Sequence, residues 1–569
     1  MKREMKEVQE TKNVEERVRG LLGSGREVRR RESRSLASLG MTLASGALVL
    51  LVVGTSLAPR TAAQVTPQRL LDSAKEPQNW LMYSGDYAGR RYSTLDQVST
   101  ANAASLVPKW VYQTMGTGKY ESTSLVVDGV LYGTGSDDRA FALDARSGRP
   151  IWQYQRALPP DIRPCCGRVN RGLAILGDRV FLGTLDAHII ALDTKTGNVI
   201  WDVTTAEYAK GYSITLAPLV IKNLVLIGAS GGEYGIRGFI DAYDAATGAR
   251  MWRFYTIPGP GETGHETWEG DSWKIGGAPA WITGTYDPVT NTTFWTTGNP
   301  SPSNRGEGRA GDNLYSNCLL ALDPDTGKLK WHFQFTKHDE HDYDATQVPV
   351  IVDDGDRHLI VQANRNGFFY VIDRTNGKLI SATPYGRVTW SNSKDANGVP
   401  IERKEASPTL TGVPVCPGAL GATNWFSPTY DAQTKLFYVT AREQCDIFST
   451  APQPYEAGHA FYGSAYFPND NTQPFWGAVR AIDPATSQIK WELKHLSPSW
   501  SGVLSTAGGL VFTGDAEGNF MALEAASGKI LWHFQCGASI YAGPMTYAID
   551  GRQYVTIAAG TALFGFGLP

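Results

Sequence analysis

The sequence predicts an all-β fold, an eight-bladed β-propeller with four antiparallel strands per blade, and three observations lead to it. One phrase of the form Ala-x-Asp-x-x-Thr-Gly-x-x-x-Trp recurs along the chain. A predicted hairpin precedes most copies. Most copies follow one another at roughly 40 to 50 residues, a period typical of propeller blades. The six complete copies end at Trp152, Trp201, Trp252, Trp331, Trp491 and Trp532.

Each copy predicts two strands and the turn that joins them. An apolar pair enters, Asp begins the turn, Ser-Gly or Thr-Gly supplies the residue with positive φ, and an apolar segment that ends in Trp leaves. The hairpin upstream is visible in "AILGDRVFLGTLDAHIIALD". Two hairpins make a four-stranded sheet, and a tryptophan at a fixed place in every sheet suits packing between neighbouring sheets.

Two degenerate copies bring the count to eight. "VIDRTNGKLI" at residues 371–380 lacks the tryptophan, and Trp110 in "LVPKWVYQT" ends a first copy whose front is not recognisable. The long gaps from Trp252 to Trp331 and from Ile380 to Trp491 predict insertions over one face, where a site is expected because loops on a rigid scaffold carry function. The repeat alone does not distinguish an enzyme from a scaffold.

Residues 1–63 are predicted to be an export signal, and residues 64–569 a single propeller domain. Arginines, including those of "RRRESR", precede the uncharged run from Leu39 to Ala58 and the small residues of "RTAAQV", which predicts cleavage after Ala63. The run approaches the length of a bilayer span, so an uncleaved anchor is the alternative, and only then would the protein contact a membrane. Both interpretations place the rest of the chain in the periplasm, where disulfides persist.

Removal of the signal makes the protein clearly acidic. Residues 1–63 hold 12 basic and 7 acidic residues, so the formal net charge changes from -3 to -8. No basic surface is left that would follow a phosphate backbone, and nucleic-acid partners are excluded.

An adjacent pair of cysteines lies in "RPCCGRVNRG", in a chain with six cysteines. In a reducing compartment Cys165 and Cys166 would be interpreted first as ordinary buried thiols. In an exported protein the two cysteines can instead form a disulfide, and the surrounding sequence is needed to choose between the two interpretations.

The repeat and the stretches between its copies resemble the pyrroloquinoline quinone (PQQ)-dependent alcohol dehydrogenases, the methanol and ethanol dehydrogenase group, from about Asn79 to the C terminus. The resemblance implies a disulfide between Cys165 and Cys166 on one face of the flat quinone. It implies the indole of Trp281, in "GGAPAWITGTYDP", on the other face. For an arbitrary tryptophan, a place in the core would be the simpler interpretation.

The same resemblance assigns the rim of the cofactor site and a second disulfide. PQQ carries three carboxylates, so the rim must supply hydrogen-bond donors and positive charge. A second disulfide joins Cys416 to Cys445, while Cys318 and Cys536 stay unassigned. The rim residues implied by the resemblance are Glu121, Arg171, Thr215, Ser230, Arg365, Asn424 and Trp425.

Glu233 in "SGGEYG" and Asn299 in "TGNPSPSN" resemble the two protein ligands of the family's metal ion. Carboxylate and amide oxygens are hard ligands that suit Ca²⁺. Asp342 in "HDEHDYDATQ" resembles the catalytic base and belongs to the same metal set. It would take the hydroxyl proton of the alcohol while hydride passes to PQQ, with Arg365 and the metal ion assisting at the quinone carbonyl.

Asp344 lies where lanthanide-using members have an additional aspartate, so a lanthanide is the alternative metal. In an extended segment, residues i and i+2 face the same side, which would bring Asp342 and Asp344 to one ion while Tyr343 turns away. The alternative is that Asp344 caps the turn into "ATQVPV". His341 stands where many members have Trp, which predicts a more polar substrate pocket.

The sequence therefore predicts an exported quinoprotein dehydrogenase that oxidises an alcohol. No Cys-x-x-Cys-His motif is present, so electrons must pass to a separate acceptor such as a soluble cytochrome c. The alternatives are a quinoprotein dehydrogenase for sugars or polyols and a cofactor-free scaffold propeller. A scaffold would need neither the adjacent cysteines nor the ordered set of Glu233, Asn299 and Asp342.

Overall fold

The protein is described here by a computed structural model, which covers residues 64–468 and 475–569. The predicted export signal, residues 1–63, lies outside the described residues. In the described part, no helix combines the length and the apolar character that a bilayer crossing requires. Within the described residues, the helical elements are one short α-helix, α1 (Pro67–Leu71), and 3-10 turns at Ser73–Lys75, Ala103–Ser105, Tyr208–Lys210, Gly232–Tyr234, His265–Thr267, Ser272–Ile275 and Lys404–Ala406.

The described residues include eight sheets that each contain four antiparallel strands, which we number I to VIII and list from first to last strand. Sheet I contains β3 (Leu125–Val127), β4 (Val130–Thr134), β5 (Arg139–Asp144) and β6 (Pro150–Gln155). Sheet II contains β7 (Ala174–Leu176), β8 (Arg179–Gly183), β9 (His188–Asp193) and β10 (Val199–Thr204). Sheet III contains β11 (Leu219–Ile221), β12 (Leu224–Gly228), β13 (Phe239–Asp244) and β14 (Arg250–Tyr255). Sheet IV contains β15 (Thr285–Asp287), β16 (Thr292–Thr296), β17 (Cys318–Leu322) and β18 (Leu329–Gln334).

The second half of the molecule repeats this arrangement and completes the ring. Sheet V contains β19 (Val350–Asp354), β20 (Arg357–Ala363), β21 (Phe368–Asp373) and β22 (Leu379–Pro384). Sheet VI contains β26 (Thr429–Asp431), β27 (Leu436–Glu443), β30 (Trp476–Asp483) and β31 (Gln488–His495). Sheet VII contains β32 (Val503–Thr506), β33 (Leu510–Gly514), β34 (Asn519–Glu524) and β35 (Ile530–Gln535), with β1 (Tyr92–Ser93) added in parallel to β32. Sheet VIII contains β36 (Met545–Ile549), β37 (Arg552–Ala559), β38 (Ala562–Gly567) and β2 (Val107–Gln113).

The repeat tryptophans lie in the last strand of their sheets and join each sheet to the next. The indole N–H groups donate to backbone carbonyls in the following sheet's turn: Trp152 to Thr194 (2.8 Å), Trp201 to Ala245 (3.3 Å), Trp252 to Pro324 (2.9 Å) and Trp491 to Ala525 (3.0 Å). A large apolar ring with one donor suits such a contact, because burial and a hydrogen bond are obtained together. The predicted role of the tryptophans between blades is confirmed.

The copy without tryptophan has a different contact with its neighbour. Ser381 occupies the tryptophan position in β22, and its hydroxyl lies 3.0 Å from the hydroxyl of Ser487 in the turn of sheet VI. In the other copies this turn position is glycine, which the preceding tryptophan ring covers; a Cβ on Gly377, for example, would lie 2.5 Å from the Trp331 ring. Loss of the indole therefore coincides with loss of the glycine.

The ring is closed by the two ends of the propeller domain, and this corrects one detail of the prediction. Trp110 does not end an N-terminal copy of its own, because its strand β2 pairs with β38 at the C-terminal end of the chain. The Trp532 indole donates to the Leu106 carbonyl (3.0 Å), so sheet VII contacts sheet VIII. Trp110 in turn covers Gly148 of sheet I, where a Cβ would lie 2.8 Å from the ring. Eight sheets thus form a closed propeller.

Two kinds of connection emerge at one face of this ring. Because the strands alternate in direction, the crossovers between sheets and the loops from second to third strands leave on the same side. The long insertions form part of this face and carry two small sheets, one of β23 (Ser391–Lys394) with β24 (Pro400–Glu402) and one of β25 (Val413–Val415), β28 (Asp446–Phe448) and β29 (Tyr466–Pro468). All predicted site residues lie on these connections.

Candidate active site

A cavity of about 360 Å³ opens among these loops. The predicted residues that line it come from six of the crossovers between sheets and from two loops that join a second strand to a third. They are spread over more than three hundred positions of the sequence. This agrees with the placement expected for a ligand site on a propeller. The predicted residues on the cavity wall are Glu121, Cys165, Cys166, Arg171, Thr215, Ser230, Glu233, Trp281, Asp342, Asp344, Arg365, Asn424 and Trp425.

Arg365 joins the two aspartates of "HDYD" at one end of the cavity. Its two terminal nitrogens lie 2.8 Å from Asp342 Oδ2 and 2.6 Å from Asp344 Oδ2. The Arg365 Nε donates to the carbonyl of Ala419 (2.8 Å), which fixes the plane of the guanidinium. The Asp342 side chain keeps 16% of its surface exposed and Asp344 only 3%, so Asp342 is the carboxylate that a substrate can reach.

The pKa values of the three acidic side chains at this end, Glu233, Asp342 and Asp344, are raised by their surroundings. Burial, followed by the charge of Asp344, raises the pKa of Glu233 to about 7. Burial raises the pKa of Asp342 well above its usual range, and Asp344 and Glu233 add to the effect against the opposing charge of Arg365. Burial likewise raises the pKa of Asp344, again against Arg365. Three carboxylates with one arginine are an arrangement that a bound cation would stabilise.

Asn299 completes this group. Its backbone N–H donates to Asp344 Oδ1 (2.7 Å), while its side-chain Oδ1, like Asp342 Oδ1, is buried and has no hydrogen-bond partner in the part of the chain that the structure describes. Glycine is required beside both groups, because a Cβ on Gly298 would lie 2.2 Å from Asp344 Oδ1 and one on Gly232 would lie 3.2 Å from Asn299 Oδ1. Buried oxygens without donors are what an oxygen-preferring metal ion requires, so the residues fit the predicted metal.

The alternative that Asp344 caps the following turn does not agree with this geometry, because both carboxylate oxygens are bonded on the cavity side. The prediction that Asp342 and Asp344 lie on an extended segment is also wrong. Asp342 has a φ of +60°, in the left-handed region, and Tyr343 points to the Pro417 carbonyl (2.6 Å). The two aspartates meet at Arg365 through this local turn and not through strand alternation.

A second buried network lines the same cavity. Arg171 lies 2.8 Å from Glu121 Oε2, and both side chains are about 5% exposed. The same guanidinium donates to Thr215 Oγ1 (2.9 Å), whose hydroxyl lies 2.8 Å from that of Ser230. Burial raises the pKa of Glu121, against the charge of Arg171. Hydroxyl groups and one arginine are thus assembled on the cavity wall.

Both predicted disulfides are present, Cys165–Cys166 and Cys416–Cys445, and the unassigned cysteines 318 and 536 are free thiols. One Glu233 oxygen and the two sulfur atoms of the adjacent pair lie within 4.8 Å of one another. The disulfide is therefore next to the predicted metal ligand. Trp281 lines the same cavity, with the Arg171 guanidinium 4.8 Å from its ring centroid.

The prediction that His341 makes the substrate pocket more polar is wrong. Its ring is buried and stacks on Tyr343 (5.2 Å between centroids), and its Nε2 faces the Ala406 carbonyl at 2.9 Å. It does not line the cavity. The lining side chains that the sequence analysis missed are Lys119, Val169, Ser213, Leu420, Tyr462, Tyr466, Trp500 and Tyr541.

Asp339 holds the turn that carries Asp342. Its two carboxylate oxygens accept from the backbone N–H groups of His341 (2.9 Å) and Tyr343 (2.7 Å), the residues on either side of Asp342. Asp339 is fully buried, and its own carbonyl accepts from Arg309 (2.6 Å). Since Asp342 has a backbone conformation that aspartate rarely adopts, these bonds determine where its carboxylate lies.

We expect Asp339→Ala to lower kcat about tenfold, because two buried N–H groups lose their acceptor and the turn relaxes. Asp339→Asn keeps one acceptor oxygen and is expected to lose less. Steady-state kinetics on both variants, with Asp271→Ala as a surface control, would measure the difference. Unchanged kcat in Asp339→Ala, or equal losses in both variants, would assign Asp339 to folding alone.

Comparison with known proteins places this geometry in context. Residues 80–397 and 390–555 match the family model "PQQ: Glucose/ethanol/alcohol dehydrogenase, beta-propeller domain". The chain is 40% identical to the quinoprotein alcohol dehydrogenase PedH of Pseudomonas putida, over 90% of this chain and 91% of that protein. It is 37% identical to a quinoprotein ethanol dehydrogenase of Pseudomonas putida, over 90% of each chain. A solved europium-containing methanol dehydrogenase superposes with a TM-score of 0.84 at 32% identity, over 88% of this chain and all of that one.

Proposed function

This chain belongs to the PQQ-dependent alcohol dehydrogenases, and from that premise we propose how its residues divide the work of oxidising an alcohol. Asp342 is the base, Arg365 positions it, and Glu233, Asn299, Asp342 and Asp344 hold the metal ion. The observation that carries the proposal is the pair of carboxylates bound to one arginine, with the buried unpartnered oxygen of Asn299 beside them.

The proposed cofactor site is the cavity that is lined by both charged groups, Arg365 with its two aspartates and Arg171 with Glu121. The Cys165–Cys166 disulfide and the indole of Trp281 provide its two flat walls, and both line the cavity. Its rim is formed by Glu121, Arg171, Thr215, Ser230, Asn424 and Trp425, with Arg365 at the reactive end. PQQ held there would supply the hydride acceptor, and Ca²⁺ or a lanthanide ion held by the acidic residues would supply a Lewis acid.

The protein's own contribution is the placement of a base and the exclusion of water. The Asp342 side chain is partly exposed to the cavity, and its Oδ1 is buried without a hydrogen-bond partner among the described residues, so no donor of the protein competes for the proton that this carboxylate is proposed to take. The bond from Arg365 to the other oxygen orients the carboxylate. Leu420, Tyr462 and Tyr466 line the cavity nearby and provide the apolar surface for the organic part of the alcohol.

We further propose that the protein works in the periplasm and passes its electrons to a separate acceptor, such as a soluble cytochrome c. The export signal predicted at residues 1–63 supports the first statement. The absence of a Cys-x-x-Cys-His motif from the sequence supports the second.

Reconstitution tests the function directly. The protein, purified without cofactor, is incubated with PQQ and either Ca²⁺ or a lanthanide, and its absorbance spectrum, metal content and dye-coupled alcohol oxidation are measured. We expect oxidation to require PQQ and a metal ion together, because each fills a different part of the site. Failure to bind PQQ with either metal would refute the proposal.

A further inference from the structure

One wall of the cavity carries cationic side chains that form no ion pair with a carboxylate among the described residues, although the charge of Lys119 acts on Glu121 and opposes the rise of its pKa. We call it the cationic wall and define it as Lys119, Trp500, Tyr541 and, behind Trp500, Arg442. The Lys119 ammonium lies 4.9 Å from the ring centroid of Tyr541 and 6.0 Å from that of Trp500. The two rings stack at 29° with centroids 6.4 Å apart, and the Arg442 guanidinium lies 4.2 Å from the Trp500 ring.

The cations of this wall differ from the other two cations at the cavity. Arg171 is paired with Glu121, and Arg365 with Asp342 and Asp344. Within residues 64–468 and 475–569, neither Lys119 nor Arg442 lies within ion-pair distance of a carboxylate. Lys119 is exposed at the cavity edge, so its charge costs little desolvation in the free protein.

Arg442 adds a buried charge to the same wall. Only 3% of its surface is exposed, and it donates to the Ser499 carbonyl (3.1 Å) and to Gln444 Oε1 (3.2 Å), while its Nε has no acceptor. A buried guanidinium that is incompletely bonded produces a positive potential at the nearby surface. This potential acts at Trp500, which lines the cavity between Arg442 and Lys119.

The ligand chemistry follows from the charge balance. PQQ brings three carboxylates to a cavity whose lining already contains four acidic side chains, Glu121, Glu233, Asp342 and Asp344. Arg171 and Arg365 are each compensated by those acids. We propose that Lys119 binds a carboxylate of PQQ at the open edge of the cavity, held there by the rings of Trp500 and Tyr541. This inference rests on the proposed function.

The test is PQQ binding and not turnover. Apo-protein is titrated with PQQ in the presence of Ca²⁺, and the quenching of tryptophan fluorescence gives Kd, since Trp281, Trp425 and Trp500 line the cavity. We expect Lys119→Ala to bind about two- to fivefold more weakly, the range of an exposed charged pair, with a smaller difference at high ionic strength. Lys119→Glu should lose more and Lys119→Arg little.

Lys109→Ala is the matched control, because Lys109 is also exposed but lies in the last strand of sheet VIII, on β2. It should bind PQQ as the unmodified protein does. Equal Kd values for the unmodified protein and Lys119→Ala at low ionic strength would overturn this inference and leave the proposed function intact. If the unmodified protein does not bind PQQ, both fail.

Discussion

Asp342→Asn is expected to lower kcat about a thousandfold, within the range that general-base catalysis contributes. The amide cannot accept the hydroxyl proton, yet it has nearly the volume of the carboxylate and keeps a carbonyl oxygen for Arg365 or a metal ion. The substitution therefore removes the base while changing the shape of the site little. Single-turnover and steady-state rates of the protein loaded with PQQ and Ca²⁺ would measure the loss.

Two controls separate loss of the base from loss of the site. PQQ binding and metal content of Asp342→Asn should stay near those of the unmodified protein. Asp356→Asn, in the exposed turn between β19 and β20, should keep full activity. A variant that retains PQQ and metal and still turns over at more than a tenth of the original rate would show that another group takes the proton.

The fold could be predicted because its signal is periodic. The tryptophan, the turn glycine and the upstream hairpin recur in most blades, so a single sequence shows the same structural pattern several times. The composition of sheet VIII could not be predicted from this signal. Its strands β36 to β38 end without the phrase, and β2 joins them from the other end of the domain, which no local pattern indicates.

The residues of the site also fall into those that the sequence indicates and those that it does not. Residues within recognisable motifs, such as Cys165, Cys166 and Asp342, were predicted, and they line the cavity. Tyr462 and Tyr466 come from the long insertion in sheet VI, and Lys119 from a connection without a repeat, so nothing in their local sequence indicates where they fold. The prediction for His341 failed because position next to Asp342 in the chain does not mean position next to the substrate: in the left-handed turn at Asp342, His341 packs against Tyr343 and away from the cavity.

The conformation of that turn depends on contacts made at a distance. Asp339 accepts the two N–H groups beside Asp342, and the Asp339 carbonyl is fixed by the buried Arg309, which also donates to Asn313 Oδ1 (2.7 Å). The loop that carries Asn299 and the loop that carries Asp342 and Asp344 are thereby tied together. A metal site built from both loops requires this connection, since its ligands must lie within a few tenths of an ångström of their places.

Substitution of Asp344 provides a test between the two candidate metals. A lanthanide ion carries one charge more than Ca²⁺, so a third carboxylate beside Glu233 and Asp342 stabilises it more strongly in a buried site. If Asp344 is a ligand, Asp344→Ala should lower lanthanide-supported activity by at least about 100-fold and Ca²⁺-supported activity by less than about tenfold, because two carboxylates and an amide still suit Ca²⁺. Activity and bound metal would be measured with each ion.

Asp344→Ala has a second effect on the site, and Asp344→Asn serves as the control for it. Asp344 Oδ1 accepts the backbone N–H of Asn299, so alanine leaves a buried donor unpaired and weakens the site with either metal. Asp344→Asn keeps an acceptor oxygen and the shape but removes the charge, so its loss should fall mainly on the lanthanide form. Equal losses with both ions in Asp344→Asn would mean that Asp344 serves to hold Asn299 and Arg365 in place, and that charge at this position does not select the metal.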